Sequence, residues 1–161
     1  MAKLYIGVDQ GKGGGFAILS KEGEVVNIMA TPLAGKELDC DAIIDFLVKY
    51  GVDSLLNNVV ACIEKVGAMP HQGVTSMYTF GYVTGIVHGI IASFGIPRYV
   101  VTPNEWKKVV LAGLGKDKDA ALAYCKRAFP GVCLLATERS KVPHTGIIDA
   151  LCIAQYARMK Y

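Results

Sequence analysis

The chain has 161 residues, which favours a single domain because domains commonly span about 100–200 residues. A hydrophobic content of 52% with 19% charged residues favours a globular chain with a large core and argues against disorder. The formal charge of +3 permits an anionic partner without requiring one. No apolar run reaches the roughly 18 residues that a membrane span needs, so we expect no membrane association.

The N-terminal residues predict a meander of three strands. The run "KLYIGVD" ends in a single carboxylate, Asp9, and the glycine-rich bend "GKGGG" separates it from "GFAILS". After the turn "KEGE", the run "EVVNIMA" is the third strand. The bend lacks the ending of a Walker A loop, and Phe16 stands where a dinucleotide-binding motif needs glycine. Glycines here let the chain turn sharply and keep bulk away from Asp9.

The rest of the chain alternates helices and strands. The segment "DCDAIIDFLVKYG" predicts a helix with Ile43, Ile44, Leu47 and Val48 on its apolar face. Further predicted elements are the strand "NVVACIEKV", a long helix at about 74–94, the strand "PRYVVT", a short helix from Pro103, the helix "KDKDAALAYCKRAF" and the last helix "TGIIDALCIAQYARM". The order βββαβαβα plus a final helix predicts an α/β fold in which one mixed five-stranded sheet carries helices on both faces.

Three isolated carboxylates stand among apolar neighbours. Asp9 ends the first predicted strand, Glu64 ends the fourth, and Asp149 lies near the start of the last helix. Burying such a charge is costly unless it is paired or bound to a metal. We therefore predict that the three converge on Mg²⁺, with Mn²⁺ as a substitute. Two such ions about 3.5–4 Å apart activate water and stabilise the leaving oxygen in phosphodiester hydrolysis. Taken singly, Asp9 as a turn cap and Asp149 as an ordinary polar helix residue are open alternatives.

The long helix carries more apolar surface than one sheet face needs. The face predicted to pack on the sheet consists of Met77, Phe80, Thr84, Val87, Ile91 and Phe94. Gly81, Gly85 and Gly89 form a smooth ridge that lets a second helix approach closely. We therefore predict a two-fold homodimer through the helix at about 74–94, with burial inside a monomer as the alternative.

The cysteines and the N-terminal residues bear on the cellular compartment in which the protein works. Five cysteines, an odd number without C-x-x-C spacing, predict reduced thiols and no zinc site. No basic and then apolar leader precedes the first strand, so we expect no signal peptide. Together these features predict a cytoplasmic protein.

Four segments resemble a known family. "GVDQGKGGGFAIL", "CIEKVGAMPHQGVTSMYTFGYVTGIVHGI", "VTPNEWKKVV" and "GIIDALCIAQYA" resemble the RuvC-like Holliday-junction resolvases, in particular their phage-type branch within the RNase H-like superfamily. The resemblance spans nearly the whole chain. It implies a single RNase H-like nuclease domain over residues 1–161, acting as a homodimeric, Mg²⁺-dependent endonuclease that nicks symmetric strands of a four-way DNA junction. Asp9, Glu64 and Asp149 then look like its acidic cluster, and a phage gene acting in the bacterial host cytoplasm fits the branch.

The sequence departs from the family pattern at two places. The first motif of the family usually reads Asp-Pro-Gly, and Gln10 stands in place of the proline. The last motif commonly supplies an acid or a histidine about one helical turn before the final aspartate, where this chain has Thr145 and Gly146. His144 is a candidate replacement, as a group that helps activate water or ligates. A surface histidine is the alternative.

Basic residues gather in the second half of the chain. The expected DNA contacts are Lys107, Lys108, Lys116, Lys118, His71 and Gln72. By resemblance, Lys116 or Lys118 touches the phosphates of the scissile strand, where a cation also offsets transition-state charge. The alternative for the lysines is a solvated helix face. Met69 shares the loop of His71 and Gln72, and Trp106 is expected to be a core anchor rather than a base-stacking residue.

Two other functions stay open at this point. The missing acid permits a protein of the same fold that binds junctions but cuts them poorly. A small ATP-binding relative of actin and the sugar kinases also opens with a strand, an aspartate and a glycine-rich hairpin. However, those proteins enclose the nucleotide between two such domains.

Overall fold

The computed structural model describes residues 3–50, 52, 58–67 and 73–161. The strands are β1 (Lys3–Asp9), β2 (Gly15–Ser20), β3 (Val25–Ala30), β4 (Leu33–Ala34), β5 (Glu37–Leu38), β6 (Asn58–Glu64) and β7 (Arg98–Val101). The helices are α1 (Cys40–Lys49), α2 (Val74–Ser93), α3 (Pro103–Val110), α4 (Lys118–Ala128) and α5 (Thr145–Lys160).

Five strands form one mixed sheet in the order β3-β2-β1-β6-β7. The pairs β1–β2 and β2–β3 are antiparallel, whereas β6 runs parallel to β1 and β7 runs parallel to β6. This confirms the predicted α/β fold, its meander and its five-stranded sheet. The small hairpin β4–β5 was not predicted, because strands of two residues are too short for side-chain alternation to show in the sequence.

Side-chain alternation along the strands divides the core between the two faces of the sheet. On β1, Leu4, Ile6 and Val8 join one buried cluster with residues of α1 and α2. Tyr5 belongs to the other cluster, together with residues of α3, α4 and α5. Helices therefore cover both faces, as predicted.

Helix α5 lies directly on β1 and β2, and Gly7 permits the close approach. A Cβ atom at Gly7 would lie 2.1 Å from the carbonyl oxygen of Ala150 and 2.2 Å from the amide nitrogen of Ala154. Any larger residue would push the helix away from the sheet. This contact brings the first turns of α5, with Asp149, to the end of β1.

Two helices use narrower buried faces than the sequence predicted. On α1 the buried residues are Ile43, Phe46 and Leu47, whereas Ile44 and Val48 are exposed. On α2 the buried stripe consists of Val83, Val87 and Ile91, and Met77 is exposed. A predominantly apolar helix does not reveal from its sequence which stripe meets the sheet, so these two predictions were wrong in part.

The cysteines are all free thiols, as predicted, with Cys62, Cys125 and Cys152 buried. Within the described ranges, every helix is too short or too polar to traverse a bilayer.

Candidate functional site at the strand ends

The carboxylates of Asp9 and Glu64 extend from adjacent parallel strands. Val8 of β1 is in register with Ile63 of β6, and each acid is the next residue along its strand. Asp9 alternates with Val8 and therefore shares the sheet face of Tyr5, and Glu64 shares the face of Cys62. This is the face covered by α5, which carries Asp149.

The three acids lie within range of one another's charge. The pKa of Asp9 is raised to about 8, first by burial and then by the nearby charges of Glu64 and Asp149. The pKa of Asp149 is raised to about 6 by burial and by Glu64, while Lys107 and Lys118 oppose the rise. The structure thus brings together three predicted acids and two predicted lysines.

Glu64 is held by two hydrogen bonds that the sequence did not predict. The indole Nε1–H of Trp106 donates to Glu64 Oε1 at 2.8 Å. The side-chain amide of Gln10 donates to the backbone carbonyl oxygen of Glu64 at 2.7 Å. Trp106 is fully buried, as expected of a core anchor, but it also orients a carboxylate of the cluster.

Trp106 lies on helix α3, and the local sequence fixes where this helix begins. Thr102 and Glu105 form a reciprocal capping box, and Pro103 occupies the first turn. The Thr-x-x-Glu spacing was the available signal that the tryptophan sits on a rigid helix. Its partner lies 42 residues earlier in the chain, so the contact itself had no sequence signal.

The glycine-rich bend packs against the N-terminus of α5. A Cβ atom at Gly146 would lie 2.3 Å from the carbonyl carbon of Gly14, closer than two such atoms can approach. Gly146 therefore has no room for a side chain.

His144 is the N-cap of α5. Its Nδ1 accepts a hydrogen bond from the backbone N–H of Ile147 at 3.3 Å, and the residue is half-buried. This bond gives the histidine a structural role that the sequence did not predict. Its predicted part in catalysis stays a prediction.

The predicted lysine contacts differ in exposure, and the loop contacts fall outside the described residues. Lys108 and Lys116 are exposed to solvent. Lys107 is half-buried, with its Nζ over the Trp106 ring at 5.2 Å from the centroid. The expectations for Met69, His71 and Gln72 fall on residues that the structure does not describe.

The donor chemistry of the cluster suits a hard divalent cation, since it consists of carboxylate oxygens. Within residues 3–50, 52, 58–67 and 73–161, no three His, Cys, Asp or Glu side chains are arranged to hold a metal ion as they stand. The raised pKa values of Asp9 and Asp149 show that uncompensated charge is unfavourable there. A cation relieves this penalty, so the residues fit such an ion chemically.

Two solved structures resemble this chain over nearly its whole length. Thermus thermophilus RuvC in complex with a Holliday junction substrate matches with a TM-score of 0.66 and 18% identity, over 97% of this chain and 95% of that chain. A second Thermus thermophilus RuvC structure matches with a TM-score of 0.63 and 19% identity, over 99% and 96% respectively. The chain has the RuvC fold. No family model matches the sequence, and no curated protein matches it.

The mixed five-stranded sheet with helices on both faces is consistent with the RNase H-like fold that the resemblance implied, and the acids lie at one edge of this sheet. Asp9 and Glu64 lie at the carboxyl ends of parallel strands. In open α/β sheets this edge is where ligands bind. The fold and the local chemistry therefore indicate the same region of the molecule.

Proposed function

We propose that this protein is a divalent-cation-dependent endonuclease that resolves four-way or otherwise branched DNA junctions by paired, symmetric nicks. The observation that carries the proposal is the convergence of Asp9, Glu64 and Asp149, from three separate elements, at one edge of a RuvC fold. The similar Thermus thermophilus RuvC was solved with a Holliday junction substrate, which supports branched DNA as the substrate class.

Asp9, Glu64 and Asp149 are the residues that would hold Mg²⁺ or Mn²⁺. Such ions supply activation of water and charge stabilisation in phosphodiester hydrolysis. Trp106 orients Glu64, and burial of the cluster strengthens every electrostatic interaction within it. Lys107 and Lys118 place positive charge beside Asp149, where it also favours the approach of a phosphate.

A homodimer through α2 suits a substrate with two equivalent strands. A Cβ atom added at Gly81, Gly85 or Gly89 meets no atom of the described residues within 4 Å, so this ridge is open in the part of the protomer that the structure describes. The ridge lies opposite the buried stripe of Val83, Val87 and Ile91. A two-fold axis along this face would present two acid clusters related by the symmetry of the junction.

A junction-cleavage assay tests the proposal. With Mg²⁺ or Mn²⁺, we expect symmetric nicks in a four-way junction and little cutting of linear duplex of the same sequence. Asp9→Asn should lower the cleavage rate by more than about 100-fold. Loss of a residue that only hydrogen-bonds a metal ligand typically lowers activity about 10–100-fold, and Asp9 is proposed as a ligand itself. Junction binding should persist, because phosphate contacts dominate affinity.

Gly146 favours a second candidate, a junction-binding protein that cuts poorly. Of the two positions one turn before Asp149, Gly146 has no space for a side chain and Thr145 carries no acid, so the cluster has three carboxylates among the described residues. Tight junction binding without nicking in either cation would support this candidate over the nuclease. Stabilisation by ATP in the absence of DNA binding would instead favour the nucleotide-binding alternative.

A further inference from the structure

Glu64 differs from the other two acids in how firmly its position is fixed. Its carboxylate accepts the indole N–H of Trp106, and its backbone carbonyl accepts the amide of Gln10. Both donors come from buried side chains, with Trp106 at 0% and Gln10 at 4% exposure. Glu64 is thus held at its backbone and at its side-chain end.

The hydrogen bond to Glu64 is the interaction that offsets the burial of the Gln10 amide. Its Oε1 has no hydrogen-bond partner among the described residues. Burying an amide with an unpaired oxygen is unfavourable. The Gln10 side chain donates one hydrogen bond, to the backbone carbonyl of Glu64, and this bond ties the end of β1 to the end of β6. A proline at position 10, as in the family pattern, would offer no such donor.

We infer that Trp106 and Gln10 are positioning residues that preset Glu64 as a fixed cation ligand, and that this restraint offsets the absence of an acid one turn before Asp149, at Thr145 or Gly146. The inference rests on the proposed function. A site with fewer ligands binds a cation tightly only if its side chains already hold the binding geometry, so that little conformational entropy is lost on binding. Partners that hydrogen-bond metal ligands typically contribute 10–100-fold to metal affinity.

The first test measures cation affinity directly, by Mn²⁺ binding in calorimetry or electron paramagnetic resonance, without DNA. We expect Trp106→Phe, which keeps an aromatic ring and loses the N–H, to weaken Mn²⁺ binding by about 10-fold or more. Gln10→Met, which keeps the length of the side chain and loses the amide, should weaken it in the same direction. Tyr5→Phe is the matched control, because it removes a polar atom from a buried aromatic of the same core cluster and should leave Mn²⁺ affinity unchanged.

The second test uses the unsubstituted protein, so it does not depend on the folding of a variant. Trp106 is the single tryptophan of the chain. Because its N–H bonds directly to Glu64, Mg²⁺ titration should change the indole fluorescence with the same midpoint as cation binding. Glu64→Gln should abolish that response.

The outcomes separate the inference from the proposed function. Mn²⁺ binding that is unchanged in both Trp106→Phe and Gln10→Met, or Mg²⁺ binding without any fluorescence response, would overturn the inference and leave the nuclease proposal standing. Failure of the unsubstituted protein to bind Mn²⁺ at all would overturn both.

Discussion

Asp9 is a carboxyl group in surroundings that disfavour its charge. Its pKa of about 8 results mainly from burial and then from Glu64 and Asp149. A carboxyl group whose pKa is higher in the folded chain than in the unfolded chain binds more protons when folded. Asp9 therefore lowers the free energy of unfolding once the pH exceeds its unfolded pKa, near 3.8. The loss of stability grows with pH until the pH passes the folded pKa of about 8. Asp149, with a pKa of about 6, acts in the same direction over a narrower range.

The stability of the cation-free protein should consequently fall between about pH 4 and pH 8, through these two groups. Asp9→Asn removes the larger effect, so in EDTA at pH 8.5 we expect it to raise the melting temperature by about 3 °C or more, since about 1 kcal/mol corresponds to 2–4 °C in a domain of this size. The same variant at pH 4 should show almost no gain. Differential scanning calorimetry at the two pH values measures this, and an equal gain at both would contradict the assigned pKa of Asp9.

At the scale of elements, the contact between the glycine bend and α5 determines where Asp149 lies. Gly146→Ala places a methyl group 2.3 Å from the carbonyl carbon of Gly14, so backbone must move. We expect a loss of about 1–3 kcal/mol in the free energy of unfolding, the usual effect of overpacking a tight contact.

The control for this substitution lies in the same bend. A Cβ atom at Gly13 would meet nothing within 4 Å, so Gly13→Ala should change stability by less than about 0.5 kcal/mol. Urea denaturation of both variants provides the comparison. Equal stability of Gly146→Ala and the unsubstituted protein would show that α5 does not pack on the bend as described.

The open ridge of α2 makes a second prediction at this scale. Gly85→Leu adds a side chain where a protomer has free space, and leucine is the better helix former. If the proposed dimer forms through this ridge, the protomer should stay folded while the dimer dissociates, as measured by sedimentation velocity. Ala123→Leu, at an exposed position of α4, is the matched control and should leave the dimer intact. A dimer that survives Gly85→Leu would place the interface elsewhere.

At the scale of the whole molecule, a net charge of +3 does not by itself indicate DNA binding, so the placement of the cations matters. Lys107 and Lys118 lie beside the acid cluster, and Lys108 and Lys116 extend the positive surface into solvent. Contacts of this kind add affinity that decreases with salt concentration.

Lys108→Ala should therefore weaken junction binding about equally across junction sequences and reduce the slope of log affinity against log salt by about 1. Fluorescence anisotropy between 50 and roughly 200 mM salt measures that slope. Lys126→Ala, at an exposed position near the end of α4, serves as the comparison and should leave the slope unchanged. An unchanged slope in Lys108→Ala would remove this lysine from the DNA-binding surface.

The sequence by itself determined the architecture and the identity of the three acids. Strand alternation, helix caps and glycine breaks are local signals, so the five main strands, the helix at 74–94 and the fold class could be predicted correctly. Asp9, Glu64 and Asp149 were recognisable because a charged residue inside an apolar run of the sequence is unusual, and its burial requires a compensating partner.

Only the tertiary structure decided what surrounds those acids. The bonds from Trp106 and Gln10 to Glu64 join residues 42 and 54 positions apart, and no local pattern encodes such a contact. The exclusion of a side chain at Gly146 depends on Gly14, more than a hundred residues away, and the buried stripe of α2 depends on which face the sheet meets. Periodicity is a property of neighbours along the chain, whereas packing and electrostatic coupling are properties of neighbours in space.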